Sequence, residues 1–379
     1  MSKRPLFFTA CAALALLGIG AAPAAHAQSY TFTDLGTLGG SNSRAYAING
    51  AGQVAGYSNI AGNVAEHATL WSGGAATDLG TLGGIHSYAI DINGAGQVAG
   101  NSLIAGNTAY RAILWSGGTL TDLGTLGGSI GYAQAINDAG QVAGGSSTAG
   151  NAAQHATLWS GGAVTDLGTL GGSSSYAFGI NDAGQVAGYA YTAGNLPHAT
   201  LWSGGTITDL GTLGGPTSEA RAVNNAGQVA GYSRIAGNTA THATLWSGGA
   251  ATDLGTLGGN SSYAYSINGA SQVAGWSQIA GGALRATLWD GGAAIDLNSF
   301  LDPATVGAGW VLQYAYDIND SGWIVGAARN NLSGRTHAYL LSTPTPAVPE
   351  PETWAMLLAG LGWLGVAGRR RNRAGGQAA

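Results

Sequence analysis

Cysteine and charge are both scarce in this chain of 379 residues. The single Cys11 lies in an apolar N-terminal run, so the body beyond it closes no internal disulfide and holds no cysteine cluster for structural zinc. Charged residues make up 8% of the sequence, against about 25% in an average soluble protein. Residues 28–348 contain seven Arg, no Lys and sixteen acidic residues, an excess of nine negative charges. Neutralising a phosphate backbone takes clusters of Lys and Arg, so no nucleic-acid partner is expected. Two enzymatic signatures are missing as well. The Gly-rich phrases lack the Gly-Lys-Ser/Thr ending and following helix of a phosphate loop. No Ser/His/Asp set stands out from the repeat pattern.

Glycine, by contrast, fills 67 positions, and much of it belongs to repeated phrases. Asp-Leu recurs at Asp34, Asp78, Asp122, Asp166, Asp209, Asp253 and Asp296, the first six times as Asp-Leu-Gly-Thr-Leu-Gly-Gly. A second phrase, Ile/Val-Asn-x-Ala-Gly-Gln-Val-Ala-Gly, places its Asn at 49, 93, 137, 181, 224 and 268, with a degenerate copy at Asn319. A third, His/Arg-Ala-x-Leu-Trp, ends at Trp71, Trp115, Trp159, Trp202, Trp246 and Trp289, and is echoed by His337-Ala338-Tyr339-Leu340. The period through most of the chain is 43 or 44 residues, which means one supersecondary unit repeated.

The unit 88–128 shows what is repeated. Tyr88 to Asn93 alternates large and small side chains, as a strand does. Asn93-Gly94-Ala95-Gly96 is a turn, and Gln97 to Gly100 runs back. Arg111 to Trp115 forms a third strand, Ser116-Gly117-Gly118 a hairpin turn, and Thr119 to Leu123 a fourth strand. Four short antiparallel strands per unit is the size of a propeller blade. Seven first, second and third strands are present, and the last third strand, His337 to Leu341, has no fourth strand after it. An orphan fourth strand, Tyr30 to Leu35, stands ahead of the first set. Pairing these ends would remove an exposed edge. The expectation is therefore an all-β, seven-bladed β-propeller over residues 28–342, closed by its N-terminal strand, with a β-solenoid as the alternative. The three phrases, over residues 30–341, also resemble extracellular HAF-repeat proteins; the seventh unit departs, with Asn298 to Pro303 in place of the glycine crossover. That resemblance implies fold and extracellular location and carries no activity.

Both ends read as addresses. Residues 1–27 form a secretory signal, with Lys3 and Arg4, an apolar stretch from Leu6 to Ile19, and Ala25-His26-Ala27 as the cleavage site. Residues 343–352 are a Pro/Thr linker running into Pro349-Glu350-Pro351, and residues 353–379 hold an apolar segment and then Arg369, Arg370 and Arg371. The apolar segment is shorter than the roughly 20 residues of a stable spanning helix, and the arginines would hold its end on the cytoplasmic side. This tail, over residues 348–371, resembles the PEP-CTERM sorting signal of Gram-negative bacteria. The resemblance implies transient residence in the inner membrane and cutting by an exosortase near Pro349-Glu350-Pro351. It implies release or anchoring at the surface of a cell that makes exopolysaccharide.

The candidate chemistry is sparse. The seven Asp of the Asp-Leu phrase are one period apart, too far to pair as acid and base, and are expected to accept backbone N–H groups at the crossover. His67, His155, His198, His242 and His337 share a column with Arg111 and Arg285. Arg ligates no metal, so a shared hydrogen-bond donor role is expected, with no metal, cofactor or catalytic residue. Variation concentrates five and three residues before the Asn, in the pairs Arg44/Tyr46, Tyr88/Ile90, Tyr132/Gln134, Tyr176/Phe178, Glu219/Arg221, Tyr263/Tyr265 and Tyr314/Tyr316. Packing between neighbouring sheets is the plain role for these pairs; lining a channel instead, they would ring one mouth and suit stacking on sugar faces, with an extracellular polysaccharide as the partner. Asp91 and Asp317 are further polar departures close by. A non-enzymatic surface module, a secreted polysaccharide-acting enzyme using Glu219, Arg221 or Asp317, and an ice- or surface-binding protein remain as readings.

Overall fold

The computed structural model describes residues 30–343. The signal segment with Ala25 and Ala27, the tail with Pro349, Glu350, Pro351, Arg369, Arg370 and Arg371, and all of the linker after Thr343 lie outside the described residues.

The chain opens with β1 (Thr31–Asp34) and continues into a first sheet of β2 (Gly39–Ile48), β3 (Val54–Ile60), β4 (Glu66–Ser72) and β5 (Ala75–Asp78), paired antiparallel in that order. Four-stranded antiparallel sheets of the same plan follow over 83–122, 127–166, 171–209, 214–253 and 258–296. The fifth and sixth are also joined by one parallel pairing, Thr241 with Ser261. The last sheet takes three strands from the C-terminal repeat, Trp310–Ile318, Ile324–Asn330 and Thr336–Ser342, and its fourth is β1. Phe32 faces Leu341 and Asp34 faces Tyr339 in that pairing.

The first strand begins five residues earlier than the alternation of Tyr88 to Asn93 implies, at Gly83, because the closing glycines of the Asp-Leu phrase are already extended. Each first strand ends in a turn stapled by its Asn. Asn49 Oδ1 accepts from the N–H of Ala51 and Gln53, and Gly52 holds φ +75 where a side chain would be strained. A second glycine is fixed by space. A Cβ on Gly56 would lie 2.0 Å from the carbonyl oxygen of Arg44, and its counterparts from Gly100 to Gly326 meet the same atom at 1.9–2.0 Å. The first strand is pressed onto the second at this point.

Seven apolar clusters fill the spaces between sheets. Ala99 and Ala112 of the second sheet, for example, pack against Ile136, Val142 and Trp159 of the third. Burying a Trp removes roughly 150–250 Å² from water, worth about 4–6 kcal/mol at about 25 cal/mol per Å². Cluster and ladder both return from the seventh sheet to the first: Val325 and Ala338 pack with Ile48, Val54 and Trp71. Asn Nδ2 groups donate from sheet to sheet, Asn49 to the carbonyl of Asn93, Asn93 to Asn137, Asn137 to Asn181, Asn181 to Asn224, Asn224 to Asn268 and Asn268 to Asn319. Asn319 donates in turn to the carbonyl of Asn49, at 3.1 Å.

In the seventh repeat a 3-10 turn, Leu297–Phe300, and a short helix, Pro303–Gly307, replace the glycine crossover. Phe300 packs edge-on against Tyr30 at 4.9 Å, which anchors the start of the described chain.

Candidate functional site

Every first strand carries a β-bulge, and the unpaired residue is the one three before the Asn. In β2 the register passes from Ala45–Gly56 to Ala47–Ala55 and skips Tyr46. The same skip falls at Ile90, Gln134, Phe178, Arg221, Tyr265 and Tyr316. Bulges re-aim side chains, and here all seven bulge residues line one cavity of about 190 Å³. Of the paired candidates, Tyr46, Phe178, Arg221, Tyr265 and Tyr316 are therefore brought together. Neighbouring rings touch across sheets: Tyr46 and Tyr316 at 5.2 Å, Tyr265 and Tyr316 at 5.3 Å. Burial pushes the phenols of Tyr46, Tyr265 and Tyr316 above their ordinary value.

The residues five before the Asn do not line this cavity. Arg44, Tyr88, Tyr132, Tyr176, Glu219, Tyr263 and Tyr314 face second-strand neighbours instead, and all are half-buried. Several of those neighbours are aromatic, so the expected ring becomes a belt. Tyr132, Tyr110, Tyr88 and Tyr57 follow at centroid spacings of 5.6, 6.2 and 5.2 Å, and Tyr57 reaches Tyr46 at 5.7 Å. On the other side Tyr314, Trp276, Tyr263 and Tyr232 follow at 6.4, 4.5 and 4.2 Å. Tyr88 donates to Glu66 at 2.6 Å, and Trp276 Nε1 to the Tyr265 hydroxyl at 3.0 Å. Tyr57, Tyr110, Tyr189, Tyr232 and Trp276 were missed from sequence. Four of them occupy the position immediately after the closing Ala-Gly of the Asn phrase, whose variation was the available signal.

Arg221 joins belt and cavity. Its guanidinium lies over the Phe178 ring at 3.9 Å and donates to Glu219 at 3.0 Å and to the Tyr232 hydroxyl at 2.9 Å. Its Nε is buried without a partner. Burial opposes its charge, but Tyr232 and Glu219 outweigh burial and raise its pKa.

Asp91 and Asp317 sit deeper than the mouth where the sequence put them. Both lie two residues before the Asn and line the same cavity as the bulge residues. Asp91 accepts from Ile92 N and Ile136 N at 2.8 Å each, bridging two sheets. Asp317 accepts from Ile48 N at 2.8 Å, Ile318 N at 2.9 Å and the Ser266 hydroxyl, bridging three. Burial, reinforced by the charge of Asp317, pushes the Asp91 pKa up to about 7, and burial raises Asp317 as well.

The Asn turns line a second hollow of about 440 Å³, with exposed Asp138, Asp182 and Asp320 among its lining residues. The Asp-Leu carboxylates are elsewhere, each held inside its own sheet. Asp78 accepts from Gly80 N at 2.8 Å and meets His67 at 2.7 Å, and Asp122 and Asp296 meet Arg111 and Arg285 at 4.0 and 3.6 Å. The columns of Asp and His/Arg are thus one set of contacts. Among the described residues no three His, Cys, Asp or Glu side chains are grouped as a metal site would be.

A family model for the PEP-CTERM protein-sorting motif matches residues 347–371. The motif indicates an exosortase-sorted, secreted surface protein of Gram-negative type. No curated protein matches the chain. Among solved structures, TolB from Acinetobacter baumannii is similar over 76% of this chain at 12% identity, with a TM-score of 0.44, and the chain spans 63% of that protein's length. A triple arginine-to-alanine mutant of AofleA from Arthrobotrys oligospora is similar over 70% of this chain and 88% of its own, at 14% identity and a TM-score of 0.40.

Proposed function

We propose that the chain is a seven-bladed propeller presented at the cell surface as a non-enzymatic binding module, and that it takes extracellular polysaccharide at the aromatic end of its axis. Seven cores between seven sheets support the closed architecture, since an open stack of seven would have six. The resemblance to extracellular HAF-repeat proteins agrees with that reading. The binding role rests on one observation: the bulges gather side chains from all seven sheets into one cavity beside a belt of Tyr and Trp. Aromatic rings with polar tips recognise ligands that have one apolar face and a hydroxylated edge, as sugar rings do. The enzymatic alternative is weaker, because Glu219 is tied to Arg221 and Asp317 already serves three donors.

The test is affinity electrophoresis of the purified chain through gels containing soluble polysaccharides. Retardation by at least one polysaccharide is expected, weakened several-fold by Tyr132→Ala together with Tyr314→Ala, with no release of reducing ends. Equal mobility in every gel would remove the binding role, and depolymerisation would replace it with the enzymatic one.

A further inference from the structure

Each first strand aims a backbone donor at the axis as well as a side chain. Asn181 N donates to Gln185 O across the first hairpin, and Asn224 N and Asn268 N donate likewise to Gln228 O and Gln272 O. Antiparallel pairs alternate between bonded and non-bonded residues. The residue before each Asn therefore turns its N–H away from the second strand and toward the axis. Ile48, Ile92, Ile136 and Ile318 confirm the direction, because their N–H groups all reach the axial carboxylates of Asp91 and Asp317.

The remaining three members of the ring are Ile180, Val223 and Ile267. Among the described residues, no side-chain acceptor bonds their N–H groups, and all three line the 190 Å³ cavity, whereas the four satisfied members do not. Arg221 lies in the same sector, with its buried Nε unpartnered.

We propose that this sector of the axis binds a carboxylate group, supplied by a uronic-acid residue of the ligand. The two aspartates show the geometry at work, each carboxylate spanning N–H groups from adjacent sheets. A ligand carboxylate between the fourth, fifth and sixth sheets would take up the equivalent donors, with Arg221 supplying the countercharge. The cavity is smaller than the roughly 300 Å³ at which pockets enclose whole ligands, so it fits one acidic end group while the rest of the sugar chain lies on the aromatic belt. Approach from the belt is favoured, because Asp138, Asp182 and Asp320 surround the opposite opening. This inference rests on the polysaccharide reading for the source of the carboxylate, but the site itself does not.

The purified full chain is titrated calorimetrically with sodium glucuronate, sodium acetate and glucose. Saturable binding of glucuronate is expected, with glucose at least tenfold weaker. Acetate distinguishes the sources: binding weaker than glucuronate assigns the site to a sugar acid, and equal binding overturns the uronate assignment in favour of a free small acid. Ala222→Asp should abolish anion binding by placing a built-in carboxylate against Val223 N and Ile267 N, as Asp91 does with Ile92 N and Ile136 N three sheets away. Arg221→Gln, which puts there the residue that the third sheet carries at the same bulge position, Gln134, should weaken binding at least tenfold, with the melting temperature recorded beside it because Glu219 and Tyr232 lose their partner. No saturable anion binding, or binding indifferent to Arg221→Gln, overturns the proposal. Retention by a neutral polysaccharide in the absence of any anion binding would overturn this site and leave the belt reading standing.

Discussion

Replacing Asp91 by Ala probes the electrostatics of the cavity lined by the bulge residues, and its effect should change sign with pH. The carboxylate serves two backbone donors, Ile92 N and Ile136 N. Both would be orphaned beside a cavity that water can reach, so the loss is about 1 kcal/mol each, at the low end for unsatisfied buried groups. Against this stands the cost of keeping a charge there. Burial and the neighbouring Asp317 move the Asp91 pKa from 3.8 to about 7. A displacement of about three pKa units corresponds to about 4 kcal/mol. The folded chain binds this proton more tightly than the unfolded chain. Stability from this group is therefore fully present below about pH 4, falls as pH rises toward 7, and is flat above that. The Ala variant lacks this titration. It should be about 2 kcal/mol less stable than the natural chain at pH 4 and about 2 kcal/mol more stable at pH 8, with the curves crossing between. Guanidinium unfolding followed by Trp fluorescence at several pH values measures the gap directly. A gap that stays constant, or widens as pH rises, would falsify the assignment of Asp91 as a carboxyl held up by its surroundings.

Two further outcomes test the scaffold. Gly144→Ala puts a Cβ 1.9 Å from the carbonyl oxygen of Tyr132, and the forced separation of the first two strands should cost about 3 kcal/mol or more, read as a lowered melting temperature; an unchanged melt would show that the bulge can slide. Deleting residues 30–35 removes β1, with Tyr30 buried on Phe300 and Phe32 packed against Trp310 and Tyr339. The seventh sheet should then become the first site of limited proteolysis, and cleavage confined to other sheets would contradict its dependence on the closing strand.

The repeat period, the four-strand plan and the pairing of Tyr30–Leu35 with His337–Leu341 were legible in the sequence because each depends on local pattern. Alternation marks strands, Asn-x-x-Gly marks turns, and the count of strands leaves two unpaired ends. The bulge was not legible. Nothing in Tyr88 to Asn93 says that Ile90 is unpaired, because a bulge changes register without changing composition. Strict alternation puts both variable residues of each pair on one face, and so places Arg44, Tyr88, Tyr132 and their counterparts along the same channel as Tyr46 and Tyr316. In the structure, one member of each pair looks into the cavity and the other packs on the second strand. Asp91 and Asp317 were visible as departures, but their depth depends on where neighbouring sheets lie, which one repeat cannot show.

The fixed and variable columns divide the physical work between them. Each constant position serves the backbone of another strand or sheet: Asn137 donates to the carbonyl of Asn181, the Ser175 hydroxyl accepts from Ala156 N of the preceding sheet, and Gly144 admits the carbonyl of Tyr132. Substituting any of these leaves a buried polar group unpaired or forces two chains apart, so such positions repeat almost unchanged. The bulge residue faces neither its own ladder nor a neighbour's backbone. Tyr, Ile, Gln, Phe and Arg are interchangeable there as far as the scaffold is concerned, and the residue after it can be Ala, Gly, Ser or Asp. An Asp in that second column satisfies the N–H after it and the matching N–H of the next sheet, whereas no Asp stands in the column at Gly179, Ala222 or Ser266, beside Ile180, Val223 and Ile267. The pattern of Asp91 and Asp317 against Gly179 and Ala222 therefore divides the cavity into a sector whose backbone donors the chain satisfies itself and the sector to which we assign the proposed carboxylate.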